Sequence, residues 1–358
     1  MEEVVNPWRG RRVFLTGHTG FKGGWLALWL AKQGVQVRGY ALDPSTEPNL
    51  FTAAGIASIV DDVRGDILDR PRLEASLQQF APDVVLHLAA QPLVRRSYVD
   101  PLGTYATNVL GTAHVLEAVR KTSSVRAVVC VTTDKCYENR EWVWPYRETD
   151  PLGGHDPYSS SKACTEIVSA AYRSSFFSVG ERRVALATAR AGNVIGGGDW
   201  SKDRLIPDLI RGFQSGKPVL IRRPKAIRPW QHVLEPVHGY LLLAENLLAD
   251  GDQFASAFNF GPGDDDAWPV DRIADRMATT WGDGATWVRD SDPGVHEAGV
   301  LRLDASKARA QLGWQPQLNI ESALDWTVNW YRACQQHANM LDFTWSQIEA
   351  YKALRAPH

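Results

Sequence analysis

Short apolar runs alternate with helix-period stretches through the first half of the chain. The runs are Arg12-Val-Phe-Leu-Thr16, residues 35–42, a segment closing at Asp66-Ile67, residues 84–90, Ala127-Val-Val-Cys-Val131 and residues 184–190. Each reads as a strand, and 84–90, apolar throughout, as one buried in a parallel sheet. Helical patterns separate them, clearest at residues 25–31 and 108–120. Six such alternations predict an α/β fold, a doubly wound parallel sheet of the Rossmann kind with its ligand across the carboxyl edge. From Ala191 the texture changes to glycine-rich loops, short strands and cations, with helical patterns at 237–249, 269–281 and 320–333 and a helical tail carrying Trp345 and Tyr351. Residues 1–190 are therefore expected to form mainly a dinucleotide-binding domain. Residues 191–358 are expected to form mainly a smaller mixed α/β substrate domain, with some exchange of chain between the two.

The first strand runs straight into Gly17-His-Thr-Gly20-Phe-Lys-Gly23, and a helix follows. Glycines between strand and helix allow a tight turn and let backbone N–H groups approach a diphosphate at the helix N-terminus. This assigns Gly17, Thr19, Gly20, Phe21, Lys22 and Gly23 to a dinucleotide. An acidic residue for the adenosine ribose is due about twenty residues on, where Asp43 stands. Asp43 followed by Pro44 also reads as the start of a turn. No arginine stands beside it in the sequence, so NAD is preferred to NADP.

A second constellation lies between Thr132 and Lys162. The strand 127–131 empties into Thr132-Thr-Asp-Lys135, and Asp156-Pro-Tyr158-Ser-Ser-Ser-Lys162 then enters a helix with its proline in the first turn. The four-residue step from Tyr158 to Lys162 puts both side chains on one face. A phenol beside an ammonium is biased towards phenolate, which would make Tyr158 a base well below the roughly pH 10 of a free tyrosine.

Taken together, the glycine turn, Thr133 and the Tyr158–Lys162 pair resemble the extended, sugar-nucleotide-modifying branch of the short-chain dehydrogenase/reductase superfamily. Family spacing puts the ribose acid nearer Ala41 than Asp43, and both positions stand. The resemblance implies that Asp66 and Ile67 lie against the adenine, though a capping aspartate fits Asp66 equally. It places Leu88, Ala89 and Ala90 beside the cofactor, Asn108 as a support of the active-site backbone, and Thr132 and Lys162 at the nicotinamide end. Thr133-Asp134-Lys135, with Gly196-Gly-Gly-Asp-Trp200, Asp203-Arg-Leu-Ile-Pro-Asp208, Arg228-Pro-Trp-Gln-His232 and His296-Glu297, narrows the likeness to nucleotide-sugar 4,6-dehydratases.

That family's reaction is an internal redox dehydration with bound NAD, and the implied substrate is CDP-glucose, on a route to deoxysugars of the O-antigen type. Tyr158, Lys162 and Thr133 act at C4, and Asp134, its pKa raised by burial, is the acid for the departing 6-hydroxyl. Lys135 stands where related enzymes carry glutamate. It is either a neutral amine that takes the C5 proton or a cation that stabilises the enolate. Gln91, Thr133, Asn193, Arg204, Leu205, Arg228 and His232 are the expected substrate contacts, with Arg190 and Arg222 as further candidate cations for the diphosphate. Glu235 and Asp304 read as structural. The family also implies a homodimer or dimer of dimers, built on residues 100–120 and 158–178.

Composition removes alternatives. A net charge of −2 gives no basic surplus for nucleic acid, and no uncharged apolar run is long enough to span a bilayer. The four cysteines lack metal-ligand spacing, so no metal is expected, and they read as reduced thiols of a cytoplasmic protein. A non-catalytic dinucleotide sensor could dispense with Tyr158 and Lys162. A 4-epimerase would not need Asp134 and Lys135.

Overall fold

The computed structural model describes residues 7–290 and 300–355, so His296 and Glu297 lie outside the described residues. Strands β1 (Arg12–Thr16), β2 (Gln36–Ala41), β3 (Asp61–Arg64), β4 (Val84–His87), β5 (Ala127–Val131) and β6 (Ala185–Ala191) fall on or beside the six segments. β3, however, is a partly exposed edge strand with three charged residues, and it ends at Arg64, before Asp66. Five shorter strands follow: β7 (Asn193–Ile195), β8 (Val219–Ile221), β9 (Trp230–His232), β10 (Ala257–Phe260) and β11 (Trp287–Arg289). The main sheet has the order β10-β6-β5-β4-β1-β2-β3 and is parallel throughout. Strand order reverses between β1 and β4, which opens a crevice at their carboxyl ends.

The second half of the chain contributes to this sheet as well as to its own loops. β10 pairs with β6, and the helix Leu234–Ala249 lies over β5 and β6. The pairs β7–β9 and β8–β11 form two small parallel ribbons beside the crevice. Tryptophans join the halves. Trp25 of the helix Phe21–Lys32 donates to the Gly197 carbonyl, and the Trp330 ring lies where a Cβ at Gly197 would fall. Trp345, on the helix Met340–Leu354, donates to the Leu28 carbonyl. Several indoles thus serve packing around the first helix, where Trp25, Trp29 and Trp330 are all buried.

Two elements differ from the expected ones for visible reasons. β4 ends at His87: the Leu88 N–H is shared between the Thr16 carbonyl and its hydroxyl, and the Ala89 N–H donates to that hydroxyl alone. The helix expected over 108–120 begins instead with a π-helical turn, Ala106–Leu110. There the Asn108 carbonyl accepts from the hydroxyls of Thr112 and Thr165, which draws that turn towards the helix Pro157–Tyr172.

The glycine turn is held by backbone crowding. Gly17 has φ 79°, and a Cβ there would sit 2.7 Å from the Ala89 nitrogen. A Cβ at Gly23 would sit 2.1 Å from the Gly17 carbonyl oxygen, whereas one at Gly20 would meet nothing nearer than 3.4 Å. Gly23→Ala is accordingly expected to destabilise the cofactor-free protein by about 1–3 kcal/mol in urea unfolding, as overpacking does. Gly20→Ala should leave the same curve nearly unchanged.

Candidate active site

β5 delivers Thr132 and Thr133 to the crevice, and a 3-10 turn, Asp134–Cys136, follows at once. The Thr133 hydroxyl donates to the Asp134 carboxylate at 2.9 Å. Opposite stands the helix Pro157–Tyr172, its first turn capped by Asp156, which accepts from the Ser159 N–H. That cap fixes where the helix starts and so aims Tyr158 and Lys162 at the strand ends. A cavity of about 330 Å³ opens here, lined by Phe21, Lys22, Thr132, Thr133, Asp134, Lys135 and Tyr158 on one side. Asn193, Arg204, Leu205, Arg222 and Arg228 line the other side.

Electrostatics in this cavity are governed by burial. Burial pushes the Tyr158 phenol up to about 12, and the Thr133 hydrogen bond and nearby Arg204 only partly oppose it. This corrects the expectation that Lys162 depresses Tyr158. The Lys162 ammonium turns instead to the Val131 carbonyl, at 3.3 Å, and burial lowers Lys162 itself to about 8. Asp134 is raised from the usual carboxylate range by burial, against the pull of Lys135, Thr133, Arg228 and Lys22. A raised carboxyl is one that can arrive protonated, as an acid must.

The remaining sequence candidates fall into three groups. Thr19 ties the glycine turn to the end of β2 by donating to the Leu42 carbonyl, and Ala89 lies directly beneath Gly17. Asn108 accepts from the Gln91 N–H at 2.8 Å and donates to the Gln91 carbonyl and the Ser161 hydroxyl. Gln91 is spent on this support, bonding Leu93 and Thr104 with its side chain, and it does not line the cavity. Asp66 accepts from the Leu68 N–H and caps its own turn, while Ile67 is buried against Gly111.

Other candidates are placed elsewhere. His232 is fully buried off the cavity wall, edge-on to Trp25 and Trp326, and burial lowers its pKa to about 3. Arg190 is no diphosphate contact, because it points into the core beside Glu166. Glu235 is buried and accepts from the N–H groups of Gln317 and Leu318 and from the Tyr351 hydroxyl. Asp304 accepts from the Ser306 N–H. Asp43 is largely exposed, and Arg64 approaches it at 3.7 Å, so an arginine does stand beside it in space. The parallel register, which sets Ala41 opposite Arg64, brings it there. Arg64 is also engaged by Asp62 and the Leu42 carbonyl.

Sequence reasoning missed the buried cluster beneath the site. Glu166 accepts from Thr132, from Thr188 at 2.7 Å and from Arg190 at 2.8 Å. Arg190 goes on to Tyr137, and Tyr137 donates to Asn259 of β10. Burial acts to raise the Glu166 pKa, but Arg190 and the two threonines hold it below the usual range. The signal was present: Glu166 lies four residues past Lys162 on one helix face, and Arg190 is the lone charge in an apolar strand.

The dinucleotide fits what is built here. At Gly20 a Cβ would make only ordinary contact with the Gly17 carbonyl oxygen, at 3.4 Å, between two glycines whose own surroundings are closed. The backbone turn, Thr19 and Lys162 are the groups that would hold it. A reversing parallel sheet, a glycine turn and a Thr–Tyr–Lys set at its carboxyl edge define a dinucleotide-dependent enzyme of the short-chain dehydrogenase/reductase type.

A family model described as GDP-mannose 4,6 dehydratase matches residues 14–327, and the chain belongs to that family. A CDP-glucose 4,6-dehydratase of Salmonella typhimurium is 51% identical over 349 residues, 97% of each chain. A dTDP-glucose 4,6-dehydratase of Xanthomonas campestris is 28% identical, over 88% of this chain and 92% of its own. Among solved structures, UDP-glucose 4-epimerase of Thermotoga maritima superposes with a TM-score of 0.79 at 23% identity, covering 90% of this chain and 99% of its own. The dTDP-glucose 4,6-dehydratase DesIV of Streptomyces venezuelae, solved with NAD, gives 0.78 at 24% identity over 92% and 99%. These two are likenesses of fold.

Glu166→Gln would leave the Arg190 charge buried without its counter-ion. It is expected to cost about 3–5 kcal/mol of unfolding free energy, measured by urea denaturation of the cofactor-free protein.

Proposed function

We propose that the protein is an NAD-dependent hydro-lyase that converts CDP-glucose into CDP-4-dehydro-6-deoxy-glucose. The observation that carries this reading is the 51% identity, over 97% of both chains, to a curated enzyme of that activity. The cavity that gathers Thr133, Asp134, Lys135 and Tyr158 supplies the chemistry.

NAD, held by the glycine turn, Thr19 and Lys162, would supply a hydride acceptor for C4 of the sugar and, once reduced, a hydride donor for C6. Tyr158 takes the proton of the 4-hydroxyl, with Thr133 holding the same oxygen. Its pKa, pushed up to about 12 by burial, means that the phenolate would need added positive charge beside it, to which Lys162 on the same helix face would contribute. The 4-keto group then acidifies C5–H, where Lys135 acts. Asp134 is the acid for the departing 6-hydroxyl, a role that its burial, by raising its pKa, favours. Arg204, Arg222 and Arg228 face the same space and meet the diphosphate. Arg204 is pre-set by Asp199, which it contacts at 2.9 Å.

No helix among the described residues is long and apolar enough to cross a membrane. The four free cysteines fit a reducing, cytoplasmic setting. A homodimer explains the apolar surface shared by two neighbouring segments. Val99 (86% exposed), Leu102 (81%) and Leu110 lie on one, and Ile167, Phe176 and Val179 on the other.

Three measurements test this reading. Incubation with CDP-, UDP- and dTDP-glucose should give loss of one water from CDP-glucose alone. An unchanged mass with inverted C4 would instead make the protein an epimerase. Lys135→Met should slow exchange of C5–H with solvent by a hundredfold or more, the lower range for a positioned acid–base group. Wild-type exchange in that variant would remove Lys135 from C5. Sedimentation of the Val99→Glu, Leu102→Glu double variant should give a monomer where the wild type gives a dimer.

A further inference from the structure

Gly192 joins β6 to β7 on the cavity wall. Its φ is negative, so the backbone torsion does not call for glycine there, unlike that of Gly198 in the same loop, at 84°. Glycine at 192 is therefore a matter of space. A Cβ would meet the Pro229 ring at 2.7 Å, the Pro229 carbonyl oxygen at 3.1 Å and Asp134 Oδ2 at 3.4 Å. The Pro229 contacts are packing. The contact with Oδ2 lies at the chemistry.

The two carboxyl oxygens of Asp134 have different surroundings. Oδ1 accepts from the Thr133 hydroxyl at 2.9 Å. Among the described residues no hydrogen bond engages Oδ2, so that oxygen is left to carry the proton and to give it up. Asp134 is 3% exposed and lines the cavity, so a proton acceptor reaches Oδ2 from the cavity side. Gly192, with hydrogen alone on its α-carbon, stands beside that approach.

This bears on the dehydratase reading above, on which the inference rests. When water is lost, a proton comes off C5 and the C5–H electron pair becomes the C5–C6 double bond. The C6–O pair leaves on the hydroxyl, which takes the Asp134 proton and departs as water. Such a transfer needs the two oxygens within about 2.6–3.2 Å of each other. A methyl carbon 3.4 Å from Oδ2 is already in van der Waals contact with it and takes up one side of that approach.

We propose that Gly192 governs the water-loss step: bare of a side chain, it keeps Asp134 Oδ2 open to the 6-hydroxyl of the sugar. Chemistry at C4 is run by Tyr158 and Thr133 and has no need of that opening. The position therefore separates the two halves of the reaction. Oxidation at C4 tolerates a methyl group at 192, and elimination at C6 does not.

The test is Gly192→Ala, mixed in excess over CDP-glucose with NAD present, quenched at intervals and followed by product mass. The variant should form the 4-keto hexose at near the wild-type rate and lose water about a hundredfold more slowly, the cost of displacing a reacting group by about 1 Å. CDP-6-deoxyglucose, which lacks the leaving hydroxyl, should be oxidised at C4 equally by both proteins. A purely structural role would slow both sugars alike, and that outcome overturns the inference, as does unchanged loss of water in the variant. Should Gly192→Ala not fold against the proline ring, Pro229→Ala and the double variant Gly192→Ala, Pro229→Ala take its place, since neither keeps the ring atom at 2.7 Å. Equal rates of water loss in those two would likewise overturn it. No loss of water from CDP-glucose by wild type would sink the dehydratase reading itself, and this inference with it.

Discussion

Everything around the candidate site hangs on one buried ion pair. Glu166 and Arg190 have side chains exposed by only 3% and 4%, and together they tie four elements. Thr132 at the end of β5, Thr188 of β6, the helix Pro157–Tyr172 and, through Tyr137 and Asn259, the strand β10 are joined in one network. Taking two charges out of water is costly, and the cost is offset only where every lone pair finds a donor. Here Glu166 accepts from three side chains, while among the described residues the Arg190 Nε is left without a partner. The result is a fixed distance between the strand end that carries Thr133 and the helix that carries Tyr158 and Lys162.

Above this rigid base the cavity is electrostatically unsettled, and that is useful. Tyr158 and Asp134 are both pushed towards their neutral forms, and Lys162 and Lys22 are pushed towards theirs. A site in which burial disfavours every charge responds strongly when a charged ligand enters, because small additions of charge decide which protons stay. The same low dielectric that makes Tyr158 a poor base in the cofactor-free cavity makes it a good one beside a cation.

The strands were legible because buried parallel strands are nearly all apolar, and the glycine turn because its crowding excludes side chains at Gly17 and Gly23. Thr133, Asp134, Lys135 and Tyr158 were legible as a set, and one cavity wall holds all four. What sequence spacing could not give was partnership across strands. Arg64 reaches Asp43 through parallel register, and Arg190 turns inward because Glu166 is there to receive it. His232 had the chemistry of a contact, but it lies under two indoles. The expected downward shift of Tyr158 failed because helical spacing reports which face a side chain shares, not how deeply it is buried.

The helix that presents the phosphate turn is covered on its far side by distant parts of the chain. Trp29 packs against Tyr351, Trp345 bonds Leu28, and Gly197 is wedged between Trp25 and Trp330. During synthesis on a ribosome that helix emerges early, while its cover is made late. Its indoles therefore face water, or a chaperone, until the helix Met340–Leu354 has left the exit tunnel. The nucleotide cradle is thus made well before its cover, and its completion waits on helices that follow it by roughly 300 residues.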